Sequence, residues 1–223
     1  MNFVSELADK LAERLKHHSS TNAFTVGISG IDASGKGYIT RLLQKELEKR
    51  NHKVANINID PWQNPIPIRL LKEDPVENFY RNVFRWDDFF SHLVVPLRIN
   101  RQIFLQTNLI RTDADLYYPF TYDFHDIDIV LIEGVFLFKP ALLKYYDCKI
   151  WIDCSFETGM LRAIQRNSEK LSRQQLILDY NTYYYPAQIC HFQRDNPKDR
   201  SDVIYCNDEL LGTVGQMTFR QAI

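Results

Sequence analysis

Phe24-Thr-Val-Gly-Ile-Ser-Gly-Ile-Asp-Ala-Ser-Gly-Lys-Gly37 holds four of the chain's eight glycines. Phe24, Val26 and Ile28 predict a strand leading in. Tyr38 to Arg50, with Ile39, Leu42, Leu43 and Leu47 on one face, predicts a helix leading out. From Gly30 the stretch reads G-x-x-x-x-G-K, a loop whose consecutive backbone N–H groups, with the positive end of the next helix, cradle phosphate. Gly30, Asp32, Ala33, Ser34, Gly35, Lys36, Gly37 and Tyr38 are therefore the candidate nucleotide contacts, and Lys36 would reach the outer phosphates. One position departs from the motif. After the lysine a Ser or Thr hydroxyl is expected, to bind Mg²⁺, and Gly37 stands there instead.

Outward from the loop, strands and helices alternate. Residues 2–17 predict an amphipathic opening helix, and Lys53 to Ile59 a second strand closed by Asp60-Pro61. Four prolines between 61 and 75 predict a loop or arm; 76–95 reads as helix, with Pro96 ending or bending it. Arg101 to Tyr122 suits a projecting β-hairpin. Ile127 to Ile132 is so continuously apolar that it reads as a central parallel strand covered on both faces. Shorter strands follow at 149–153 and 203–205, with helices at about 139–146, 157–167 and 172–194. The pattern is α/β with a doubly wound parallel sheet, most simply one domain over 1–223.

At 223 residues the chain can bury a core without disulfides or structural metal. A formal net charge of −1 gives no electrostatic case for nucleic acid or an anionic membrane surface. Cys148, Cys154, Cys190 and Cys206 match neither zinc-ligand pairs nor a disulfide framework, and read as free thiols of a reducing compartment. The longest apolar stretch, 127–138, is interrupted by Asp128, Glu133 and Gly134 and cannot span a bilayer. These features predict a soluble, cytoplasmic protein.

The second strand ends at Asp60 and the buried run ends at Glu133-Gly134. In an open parallel sheet, ligands bind beyond the carboxyl ends of strands, so Lys36, Asp60 and Glu133 are expected in one crevice. Glu133 is either a helix-capping or ion-paired residue or a ligand of Mg²⁺ or its bound water; Asp60 is either a turn residue or a base for a substrate hydroxyl. Arg162 and Arg166 share a helix face, as solvated charges or as cations that offset charge on a transferred phosphoryl group.

Gly27-x-x-Gly30-x-Asp32-x-Ser-Gly-Lys36, Ile59-Asp60, Glu133-Gly134-Val-Phe-Leu-Phe138, Arg162-x-x-x-Arg166, Tyr184-x-Pro186-Ala-Gln188 and Ser201-Asp-Val-Ile-x-x-Asn207 occur in order. Together they resemble the uridine kinase / phosphoribulokinase-like family of P-loop small-molecule kinases, over about residues 22–208. The resemblance implies a doubly wound P-loop fold with a β-hairpin substrate arm, ATP or GTP with Mg²⁺, and phosphoryl transfer to a hydroxyl such as a nucleoside 5′-OH. It implies that Gly30 to Lys36 cradle phosphates, that Asp60 activates the acceptor, and that Glu133 holds the metal shell. Arg162 and Arg166 would belong to a lid within about 157–195, and Tyr122 and Asp123 to the end of the substrate hairpin. The chain departs at Gly37, at Asn167 (usually Asp) and at Tyr183 (often Arg). It departs also at Arg85, where many relatives carry a ribose-binding Asp; Asp87 or Asp88 lies close by, and an arginine suits an anionic acceptor.

The expected activity is ATP-dependent phosphorylation of a small molecule, a nucleoside such as uridine or else a sugar, sugar phosphate, glycerate or vitamin precursor. The rival is a nucleotide-binding module without turnover, which Gly37 favours and the joint presence of Lys36, Asp60 and Glu133 opposes. No Asn-Lys-x-Asp guanine-reading motif appears, which argues against a GTPase switch. A homo-oligomer is left open.

Overall fold

A computed structural model describes residues 3–19, 21–71, 73–111, 114–167 and 170–220. Its elements begin with α1 (Phe3–Lys16), β1 (Phe24–Gly30), α2 (Lys36–Glu48) and β2 (Val54–Asn58). Then come α3 (Ile66–Arg69), α4 (Pro75–Asn82), α5 (Trp86–Asp88), α6 (Val95–Asn100), and the hairpin β3 (Ile103–Arg111) with β4 (Leu116–Phe124). β5 (Ile129–Gly134), β6 (Cys148–Asp153), α7 (Phe156–Arg166), α8 (Arg173–Asp179), α9 (Tyr185–Asp195), β7 (Val203–Cys206) and β8 (Met217–Phe219) complete them.

The main sheet runs β2-β5-β1-β6-β7-β8, parallel except for β8 at the edge. The apolar run of β5 explains its central place. Ile129 and Leu131 pack with Leu7, Leu11, Leu43 and Leu47 on one side of the sheet. Val130 and Ile132 meet Phe79, Phe89, Phe90 and Leu93 on the other. Strand side chains alternate between faces, so a strand covered twice must be apolar throughout. The parallel α/β architecture expected above is therefore present, and β3-β4 forms its own two-stranded sheet.

Local detail departs from the expected pattern at several points. The proline-rich stretch 61–75, expected as a loop or arm, carries the 3-10 turn Asp60–Trp62 and α3 within it. Pro96 does not end its helix. A π turn at Phe89–Val94 carries α5 into α6, with Pro96 in the first turn of α6. A second π turn, Tyr180–Tyr184, joins α8 to α9 just before Pro186. Proline has no N–H and its ring crowds the carbonyl four residues back, so a widened turn lets the helix continue. The segment expected as a helix at 139–146 is 3-10 from Pro140 to Tyr145. β8, three residues long, gave no pattern to read.

All four cysteines are free, with Cys148 and Cys154 buried. Among the described residues, no helix is long and apolar enough to cross a membrane.

Candidate functional site

The glycine-rich loop joins β1 to α2 in the expected way. Ala33 and Gly35 have left-handed φ values of 55° and 93°, a backbone twist that turns neighbouring N–H groups toward one concavity. Gly35 is obligatory twice over: besides its φ, a Cβ there would lie 2.3 Å from Asn207 Nδ2. That amide donates to the Ser34 carbonyl at 2.7 Å. Arg162, on α7, donates to the Ser34 carbonyl at 3.3 Å and to the Asn207 carbonyl at 2.8 Å, so it braces the loop.

Asp32 is held by elements about 150 residues away. Its N–H donates to Gln188 Oε1 at 2.8 Å, the Tyr180 hydroxyl donates to its carboxylate, and Arg166 pairs with it at 3.5 Å. Burial alone would raise this carboxyl, but Arg166, Lys36 and the Tyr180 hydroxyl hold it below the usual range. Within the Tyr-x-Pro-Ala-Gln block, Gln188 therefore serves to fasten the loop. The sequence pattern includes Gln188 without giving it a role. Tyr180 is absent from that pattern, since a tyrosine in a helix carries no signal of a distant partner.

Sheet register supplies the rest. Glu133 sits opposite Ile28 of β1 and Asn58 of β2, so the loop, Glu133 and Asp60 emerge from adjacent strand ends. Lys36 is buried and donates from Nζ to the Ile31 carbonyl at 2.8 Å. Asp60 opens its 3-10 turn with its N–H on Asn58 Oδ1 at 2.6 Å. Burial pushes the Asp60 carboxyl up and Asp32 adds to this, against the pull of Lys36 and Arg166. Glu133, 8% exposed, is pushed up to about 7, chiefly by burial and then by Asp60. An added Cβ on Gly37 would lie 3.2 Å from Glu133 Oε1 and 3.6 Å from Arg41 Nη1.

Two cavities meet here. One, of about 350 Å³, is lined by Lys36, Gly37, Tyr38, Arg41, Glu133 and Arg162 among others. The second, about 300 Å³, has walls from Arg69, Phe79, Phe84, Val135, Tyr184 and Gln188. Asp32, Asn58, Asp60 and Arg166 line both.

Tyr122, Asp123 and Arg85, expected on the substrate side, line neither of these two cavities. Tyr122 is buried and accepts from Trp62 Nε1 at 3.0 Å. Asp123 is exposed and 2.7 Å from His125. Arg85 lies over the Trp62 ring, donates to the Asn108 carbonyl at 2.8 Å, and does not line either cavity. The buried cation on the second cavity is Arg69 instead, which the proline-rich reading of 61–75 hid.

No protein-family model matches the chain. Two curated proteins align over four-fifths of it. Uridine-cytidine kinase B of Dictyostelium discoideum is 25% identical over 182 residues, 80% of this chain and 73% of that one. Uridine kinase of Staphylococcus aureus is 26% identical over 184 residues, 80% and 85%. The chain is thus similar in sequence to proteins named as uridine kinases. Solved structures agree on the fold. A possible uridine kinase from Bacillus stearothermophilus superposes with a TM-score of 0.68 at 20% identity, covering 89% of this chain and 98% of that one. D-glycerate 3-kinase from Cryptococcus neoformans gives 0.69 at 14% identity, covering 97% and 98%. This is the P-loop kinase fold.

Proposed function

We propose that this relative of the uridine kinases transfers the γ-phosphoryl group of ATP or GTP to a hydroxyl of a small molecule. The observation that carries this reading is that Asp60 lines both cavities. One cavity has the furniture of a triphosphate site: the loop, Lys36 and a ring of arginines. The other has aromatic and apolar walls with a few polar groups, the usual make-up of a small-molecule site. A carboxylate at the junction stands where a base must reach a hydroxyl aimed at phosphorus. Its raised pKa brings it nearer the working range of a general base. The names of the relatives make a nucleoside such as uridine the first acceptor to try.

Among the described residues, no three His, Cys, Asp or Glu side chains form a ready metal cage. Magnesium does not need one, because it keeps several waters and takes one or two carboxylates beside substrate phosphates. Glu133 fits that part: buried, next to Asp60 and pushed up to about 7, it is a carboxylate whose charge a dication would relieve. Glu133 would hold Mg²⁺, which would supply positive charge beside the phosphates. Lys36 leaves the Ile31 carbonyl for the outer phosphates. Arg162 keeps the loop shaped, and Arg166, shared between Asp32 and both cavities, faces the group in transit.

The test is a nucleotide-consumption screen with Mg²⁺ or Mn²⁺ against nucleosides, sugars, sugar phosphates and hydroxy acids. Product formed by the parent should fall about 10²–10⁴-fold in Asp60→Asn, with nucleotide binding kept. Binding without turnover for any acceptor favours a nucleotide-binding module, the reading Gly37 supports.

A further inference from the structure

The motif's missing hydroxyl and an unused guanidinium fall on the same side of α2. Arg41 lies one helical turn after Gly37, and residues four apart on a helix stack over one another. Gly37 leaves open the space that a side chain would fill, and both Arg41 Nη1 and Glu133 Oε1 border that space, at 3.6 and 3.2 Å from the position of the absent Cβ. Arg41 lines the phosphate-side cavity with Lys36, Arg162 and Arg166. The other three are engaged with the protein: Lys36 with Ile31, Arg162 with Ser34 and Asn207, Arg166 with Asp32. Among the described residues Arg41 makes no hydrogen bond or ion pair. Its exposed side chain, whose charge is felt by Glu133, can therefore turn onto a ligand without breaking a hydrogen bond or ion pair.

We propose that Arg41 is a phosphate-binding residue of the nucleotide cavity, using the room left by Gly37 to supply charge that a hydroxyl-anchored metal supplies elsewhere. The inference rests on the kinase reading above and deepens it. Its chemistry follows from the guanidinium, which presents paired N–H donors in a plane matched to phosphate oxygens and stays charged at any working pH. A fixed cation one helical turn from the loop lets the protein hold a nucleotide with less help from a divalent ion. A serine at 37 would instead crowd this space and place its hydroxyl beside Glu133.

The experiment is calorimetric titration of ADP into parent, Arg41→Gln, and the Gly37→Ser/Arg41→Gln double variant, each in Mg²⁺ and in chelator. The readout is binding, with no turnover needed. The parent should lose no more than about threefold affinity on chelation. Arg41→Gln should lose about tenfold or more in chelator, the size expected of one charge-assisted phosphate contact, and less in Mg²⁺. The double variant should recover affinity in Mg²⁺ alone. Arg41 makes no hydrogen bond or ion pair among the described residues and only lends its charge to Glu133, so the variants should melt close to the parent. If Arg41→Gln binds ADP as the parent does in both buffers, this inference is wrong while the kinase reading stands. If the parent binds no nucleotide in either buffer, the kinase reading itself fails and takes Arg41 with it.

Discussion

Gly37 and Glu133 face each other across a space in which a few tenths of an ångström matter. An added Cβ at 37 would sit 3.2 Å from Glu133 Oε1, tight but against the movable end of a carboxylate. Gly37→Ser should therefore fold normally and put a hydroxyl next to Glu133. Mg²⁺-dependent nucleotide affinity should rise, on the order of tenfold by analogy with other changes to a metal's supporting shell. Titration of the magnesium–nucleotide complex measures this, and unchanged or weaker binding would show the loop to be built around glycine. Glu133 also gives a pH signature in metal-free protein. Its folded pKa of about 7 lies above the ordinary 4.5, so between those values the native state holds a proton the unfolded chain has released. Stability should fall as pH rises from about 4.5 to 7 and then level off. Glu133→Gln removes this loss, worth a few kcal/mol at most. In chelator at pH 8 its melting temperature should exceed the parent's by several degrees, converging near pH 4. A parent stability flat from pH 5 to 8 would contradict the shift. Both residues were legible in the sequence because their chemistry is local: a carboxylate ending an apolar strand, a glycine where a hydroxyl belongs.

Elements were legible where periodicity was strong and obscure where proline interrupted it. β1, α2, β5 and α7 follow from apolar spacing; α3, hidden among Pro65, Pro67 and Pro75, does not. With α3 hidden, so was Arg69, the buried cation of the second cavity. Its Nη1 donates to the Asn64 carbonyl at 2.6 Å and to Asp115 Oδ1 at 3.0 Å, and Asp115 also accepts from the Ile66 N–H. The tip of the β3-β4 hairpin is thereby fastened to the cavity wall. Asp115 has φ 48°, a conformation Asn also tolerates, so Asp115→Asn removes charge without backbone strain. Arg69 would lose its ion pair, at a cost on the order of 2 kcal/mol read from a denaturant midpoint. Acceptor KM should rise several-fold, with nucleotide affinity unchanged because the loop lies on other elements. Equal weakening of both ligands would place the hairpin's influence on the whole site instead.

Across the molecule the site is a product of topology. With the order β2-β5-β1-β6, chain segments far apart in sequence end side by side, and the loop, Asp60 and Glu133 share one edge. Sequence alone reached that convergence because parallel strands discharge at a common end. It did not reach the return contact from the C-terminal helices, since nothing local marks Tyr180 or Gln188 as partners of Asp32. That contact predicts mechanical coupling between the nucleotide loop and the helical segment 173–195. Gln188 is buried, and its Oε1 takes the Asp32 N–H while its Nε2 donates to the Tyr184 carbonyl, so it ties the loop directly to the π turn. A ligand that orders the loop should, by linkage, also stabilise these helices in their packing against it. ADP binding should then slow amide exchange in 173–195 severalfold, although those residues lie outside the loop itself. Gln188→Ala should weaken the hold of α9 on the loop at Asp32, lower ADP affinity several-fold, and abolish the extra protection in 173–195 while leaving that of α2 in place. Protection that spreads equally through the helices in Gln188→Ala would mean the coupling runs by another route, through Arg166 and the Tyr180 hydroxyl, and Tyr180→Phe would then be the variant that breaks it.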